Sequence, residues 1–145
     1  MPTGKLILTA LVSLCVLAAC SAPATPVAAP AQSAPVQVEG GAYADINPAQ
    51  LADMLKHKDF FFVNTHIPYE GEIEPTDAFI PFDQTLQSLD QYPSDKDAKI
   101  VLYCRSGRMS AIAAEELVKA GYTNVWNLKG GMIDWRSAGL PLKER

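Results

Sequence analysis

The chain has 145 residues, enough for one domain and little more. Its 12 basic and 16 acidic side chains give a formal net charge of −4 at pH 7, which excludes the basic footprint of a nucleic-acid binder. Of the 3 cysteines only Cys104 is expected to remain a free thiol, so with 2 distant histidines the usual four zinc ligands are lacking, and no cofactor is expected.

In chain order the first element is an apolar run from Leu6 to Ala19, preceded by Lys5 as its only charged side chain. It is too short to span a bilayer comfortably and reads as the hydrophobic core of a signal peptide. It ends in Leu17-Ala18-Ala19-Cys20, which resembles a bacterial lipobox. That resemblance implies a signal peptide over residues 1–19, cleavage before Cys20 and lipidation of its sulfur. Anchoring at the cell envelope would follow, on the periplasmic side of the outer membrane in a Gram-negative source, since two or three acyl chains hold stably. Cys15 would leave with the signal and Cys20 would carry lipid, so Cys104 would be the one free thiol and no internal disulfide could form. Residues 20–42 are rich in Ala, Pro, Ser and Val with a single charge, Glu39, and read as a disordered tether closed by Gly40-Gly41.

Residues 43–145 then alternate helix and strand signals. Asn47 as N-cap and Pro48 at the first helical position open a helix carrying Leu51, Met54 and Leu55. "DFFFVN" and "AFIPF" read as short buried strands, and Asp83 as the cap of a helix with Leu86 and Leu89. "KIVLYC" is the most apolar strand. A helix follows from Ser106 or Gly107 to Ala120, with Gly121 just past its end. "TNVWNL" is a last strand and "GGMIDWRSAGL" a short final helix. Such alternation implies a mainly parallel sheet covered by helices on both faces, with ligands bound beyond the carboxyl ends of the strands.

Cys104 stands at such an end, in "IVLYCRSGRMS". The backbone amides of Arg105, Ser106, Gly107, Arg108, Met109 and Ser110 can curl around one anion there, with a helix N-terminus aimed at the same spot. Such a setting favours thiolate over thiol. Arg105 and Arg108 suit the oxygens of a sulfonate or thiosulfate group, while Ser106 and Ser110 either donate to a sulfur anion or cap the helix. Gly107 meets a backbone requirement. His66 reads as structural and His57 as exposed. The acidic group Glu70, Glu72, Glu74 and Asp77 reads as a solvated loop, and Trp126, Trp135, Tyr122 and Phe60–Phe62 as core.

From Lys99 to Pro141 the order of strand, Cys, Gly-centred loop, helix, Gly-Tyr-x-x-Val, Gly-Gly-x-x-x-Trp and Gly-x-Pro resembles the second half of a single-domain rhodanese, a sulfurtransferase. The first half departs from that pattern. Asn64-Thr65-His66 stands where the family has Asp-Val-Arg, and "GEIEPTDAFIP" where a Gly-His-Ile-Pro-Gly-Ala turn is usual. The resemblance implies a three-layer α/β fold with a mainly parallel five-stranded sheet. It also implies a Cys104 persulfide that carries sulfur from a small donor such as thiosulfate to a thiol or cyanide, in a monomer. Two other readings stand beside it. A non-catalytic binding module would keep the shape only. A cysteine phosphatase or arsenate reductase wants Cys-x5-Arg, whereas Ser110 holds the sixth position after Cys104.

Overall fold

The computed structural model describes Met1, Ser33 and residues 35–145. The signal peptide, Cys20 and most of the tether lie outside the described residues. The elements in order are β1 (Pro35–Val38), β2 (Gly41–Ile46), α1 (Pro48–Leu55), β3 (Phe61–Asn64), β4 (Gly71–Glu72) and β5 (Ala78–Phe79). They continue with β6 (Ile100–Tyr103), α2 (Arg108–Lys119), β7 (Val125–Leu128), α3 (Gly131–Ser137) and β8 (Lys143–Glu144). The main sheet runs β1-β2-β7-β6-β3-β5, parallel except for the antiparallel β1–β2 hairpin. β4 and β8 form a separate antiparallel pair.

Two expectations need correcting. Residues 35–38, assigned to the tether, are the sixth strand of the sheet: Val36 faces Tyr43 and Val38 faces Gly41 in the hairpin. Alternation of half-buried and exposed side chains along β1 explains the difference, because Val38 packs against the core while its neighbours stay wet. The helix expected after Asp83 is instead two 3-10 segments, Phe82–Gln84 and Leu86–Gln91. Asp83 lies inside the first and caps nothing.

Helix α1 starts as its sequence dictates. Asn47 Oδ1 accepts from the Gln50 amide at 2.9 Å, and Gln50 Oε1 accepts from the Asn47 amide at 2.8 Å, with Pro48 at the first helical position. This reciprocal cap satisfies two donors that a helix start leaves orphaned.

β6 organises the core. Its four side chains are fully buried and, because strand side chains alternate, they feed two separate cores. Ile100 and Leu102 pack with Ala113, Leu117 and Tyr122 beneath α2. Val101 and Tyr103 pack on the opposite face with Leu51, Met132 and Trp135 from α1 and α3. Truncating a residue so enclosed, Leu102→Ala for instance, costs about 2–5 kcal/mol. A rigid central strand thus ends at Cys104, between two filled layers.

Candidate active site

The end of β6 is fixed on both sides. The Tyr103 carbonyl accepts from Thr65 N (2.8 Å) and Thr65 Oγ1 (3.1 Å), and its hydroxyl accepts from Ile73 N (3.0 Å) and meets Thr76 Oγ1 (2.6 Å). Burial keeps that phenol protonated well above the usual tyrosine range. Asn64 links the same region: its Nδ2 donates to Gly71 O (2.9 Å) and its Oδ1 accepts from His66 N (3.0 Å). The divergent Asn64-Thr65-His66 segment is therefore a buried brace for the turn beside the cysteine.

Cys104 itself is 1% exposed. The loop after it turns back so that the Gly107 amide donates to Sγ at 3.1 Å and the Ser110 hydroxyl lies 3.5 Å from Sγ. Gly107 has φ +83°, and a Cβ there would come within 2.9 Å of Gly130 N, so the loop closes only with glycine. Helix α2 begins one residue later, and its N-terminal end faces the sulfur. Helix α3 holds the loop from the other side. Met132 N donates to Cys104 O and Ile133 N to Arg105 O, each at 2.9 Å. A Cβ on Gly131 would stand 2.3 Å from Cys104 O. The Gly-Gly pair of the last helix is thus the counterpart of the glycine in the cysteine loop.

Beside Sγ opens a cavity of about 280 Å³, walled by His66, Phe82, Met109 and Ile112 and edged by Arg105 and Arg108. Of the six loop residues singled out in the sequence, Gly107 and Ser110 touch the sulfur, while Arg105, Ser106, Arg108 and Met109 line the cavity. Ser106 is exposed, and neither serine caps α2, whose N-cap is Gly107. Arg105 is held at the rim by Glu70, Nε to Oε2 at 3.4 Å. Glu70 also approaches His66 Nε2 to 3.3 Å without the alignment of a hydrogen bond, so among the described residues neither ring nitrogen of His66 has a hydrogen-bond partner.

The acidic group does not behave as one solvated loop. Glu70 joins the site, Glu72 and Glu74 pair with Lys143 at 2.8 and 3.3 Å, and Asp77 Oδ2 accepts from Phe62 N at 2.7 Å, bracing β3. His57 is exposed, and Trp126 and Phe61 are half-buried rather than fully enclosed. Sequence reasoning passed over Phe82, Ile112, Asn127 and Asp45. The last two form a chain behind the sulfur, buried at Ser110 and Asn127 and partly exposed at Asp45: Ser110 Oγ lies 2.6 Å from Asn127 Oδ1, and Asn127 Nδ2 donates to Asp45 Oδ1 at 2.8 Å. An asparagine inside the apolar run "VWNL" was the available signal, since buried polar groups are placed against partners.

Comparison with known proteins agrees with this geometry. A "tRNA uridine(34) hydroxylase" of Erwinia tasmaniensis is 33% identical over 115 residues, covering 71% of this chain and 32% of that protein. A "Sulfurtransferase" of Allochromatium vinosum is 44% identical over 54 residues, 37% of this chain and 49% of that protein. The chain thus spans about a third to a half of the length of these relatives. The crystal structure of a rhodanese-related protein from Thermoplasma volcanium superposes with a TM-score of 0.58 at 27% identity, covering 68% of this chain and 95% of that one. The family description "Rhodanese-like domain" matches residues 44–138. With the cysteine loop, its two glycine clasps and the parallel sheet all in place over that span, the chain belongs to the rhodanese-like domain family.

Proposed function

We propose that the chain is a sulfurtransferase that carries sulfane sulfur as a persulfide on Cys104. One observation carries this reading: Sγ receives the Gly107 N–H at the start of α2 and opens onto a cavity edged by two arginines. A donated amide and a helix N-terminus both stabilise negative sulfur.

In the first half-reaction the Cys104 thiolate attacks the outer sulfur of a donor such as thiosulfate. The new S–S bond forms as the bond to the sulfonate sulfur breaks, and sulfite leaves with the electron pair. Thiolate plus thiosulfate dianion become perthiolate plus sulfite dianion, so charge balances and no proton moves. Arg108 and Arg105 hold the donor's oxygens. In the second half-reaction an acceptor thiolate, or cyanide, takes the outer sulfur and returns Cys104 as thiolate. A phosphatase reading lacks support, because Ser110 stands where that chemistry places an arginine.

The test is the mass of the purified chain after incubation with thiosulfate. A gain of one sulfur on Cys104, absent in Cys104→Ser, is expected. No gain with the fold intact would leave a binding module instead.

We further propose that the domain is lipid-anchored at the cell envelope through Cys20, a reading supported by the lipobox-like Leu17–Cys20. Acyl mass on the N-terminus of the wild type and its loss in Cys20→Ala are expected. A wild-type chain recovered unacylated from the envelope would end that reading.

A further inference from the structure

The hydrogen-bonded chain behind Cys104 has a direction, and the direction follows from which atoms carry protons. Asp45 on β2, as a carboxylate, only accepts, so the Asn127 amide turns Nδ2 toward it at 2.8 Å. This orientation leaves Oδ1, an acceptor, facing Ser110. At 2.6 Å the Ser110 hydroxyl must donate to it. A serine hydroxyl has a single proton. With that proton committed to Asn127, Ser110 Oγ presents lone pairs to Sγ, 3.5 Å away. The longer contact therefore suits S–H donating to Oγ, rather than a serine proton donated to sulfur. Ser110 and Asn127 are 0% and 3% exposed, so bulk water does not redirect either group.

We propose that Asn127, oriented by Asp45, is a positioning residue that withholds the Ser110 proton from Cys104. The inference rests on Cys104 being the reacting thiol and adds how its reactivity is set. The thiol is satisfied, because S–H meets a lone pair. The persulfide is also satisfied: its inner sulfur carries neither proton nor formal charge, and Ser110 keeps its bond to Asn127. Only the free thiolate meets lone pairs where it needs a donor, leaving Gly107 N–H as its protein partner. A thiolate short of one donor gains by taking a sulfur. Charged and titratable groups face this thiol from both sides. Arg105, Arg108 and His66 border the substrate cavity. Tyr43, Asp45 and Lys129 border a second cavity of about 260 Å³ behind the loop.

The experiment reads the ultraviolet absorbance of the thiolate in the full-length chain in detergent, as a difference against Cys104→Ser. Asn127→Leu is expected to raise the thiolate-to-thiol ratio at fixed pH about tenfold, the effect of one released donor to a charged atom. Ser110→Ala alone should leave the ratio unchanged or slightly higher. Added to Asn127→Leu, it should cancel the gain. Asp45→Ala, which lets the amide turn Nδ2 toward Ser110, should reproduce the gain. Asp45→Asn removes the same charge but keeps an acceptor for Nδ2, and should not. The Asp45 pair sits at a partly exposed site and gives the answer if Asn127→Leu fails to fold. A ratio unmoved by Asn127→Leu or Asp45→Ala, or lowered tenfold by Ser110→Ala alone, overturns the proposal. Sulfur uptake is read separately by mass. A chain that takes no sulfur yet shows this pattern removes the transferase reading and keeps the network, and the opposite pair of results does the reverse.

Discussion

At the scale of single residues the site divides its labour between an enclosed sulfur and exposed cations. Cys104 gains a donor and a helix end inside the protein, where screening is weak, while Arg105 and Arg108 stand in solvent at the rim. Arg105 is further engaged by Glu70, which leaves Arg108 as the better partner for a donor's oxygens. Arg108→Ala should therefore raise KM for thiosulfate about tenfold, the low end for one charge-assisted hydrogen bond, while the removal of sulfur by the acceptor changes little. Steady-state kinetics with thiosulfate varied would check this, and an unchanged KM would make Arg108 a plain surface charge. His66→Ala tests the neighbouring wall. Because sulfur attack by a formed thiolate needs no base, most of the turnover should survive.

At the scale of elements, the β1–β2 hairpin decides where the domain begins. Cutting the chain before Ala42 removes β1 and uncovers the edge of β2, whereas cutting before Pro35 keeps the hairpin. The longer piece should melt several degrees higher in a thermal scan, since Val38 and Tyr43 both pack on the α2 core. Equal melting temperatures would show that β1 contributes nothing. The hairpin also shows what sequence patterning hides. "PVQVEGG" continues an Ala/Pro-rich tract, and two valines in a four-residue strand make too little periodicity to stand out from it. The second half of the domain was legible because each motif has a local physical cause. Examples are Gly107 for a left-handed turn, Gly131 for a close approach, and Trp135 Nε1 reaching Pro141 O at 2.8 Å. The turn from His66 to Asp77 was not legible. Its roles come from partners far along the chain, such as Ile73 on the Tyr103 hydroxyl and Glu72 and Glu74 on Lys143. Asn127 escaped for the same reason, since Asp45 is 82 positions away.

At the scale of the whole molecule, the two cores respond to alkaline solution in the same direction. Burial pushes the Tyr92 phenol up to about 12 from the ordinary 10.0, with Thr85 beside it offsetting only part of the rise, and raises Tyr103 as well. A raised phenol keeps its proton in the folded state after the unfolded chain has lost it. The stability this reflects is complete below pH 10 and falls as pH rises through about 12. For Tyr92 the loss amounts to about 2–3 kcal/mol. Urea unfolding at increasing pH should show the decline, and Tyr92→Phe should remove part of it, leaving the share of Tyr103; a flat wild-type profile would contradict the burial argument. The clasp between the cysteine loop and α3 has a consequence of a different kind. Because Met132 N and Ile133 N are tied to the carbonyls of Cys104 and Arg105, those two amides can exchange with deuterium only when helix and loop part. They are therefore built-in reporters of the reacting segment. Their exchange, followed with and without a sulfur donor, would record how often the loop opens, from a helix that does not line the cavity beside Sγ.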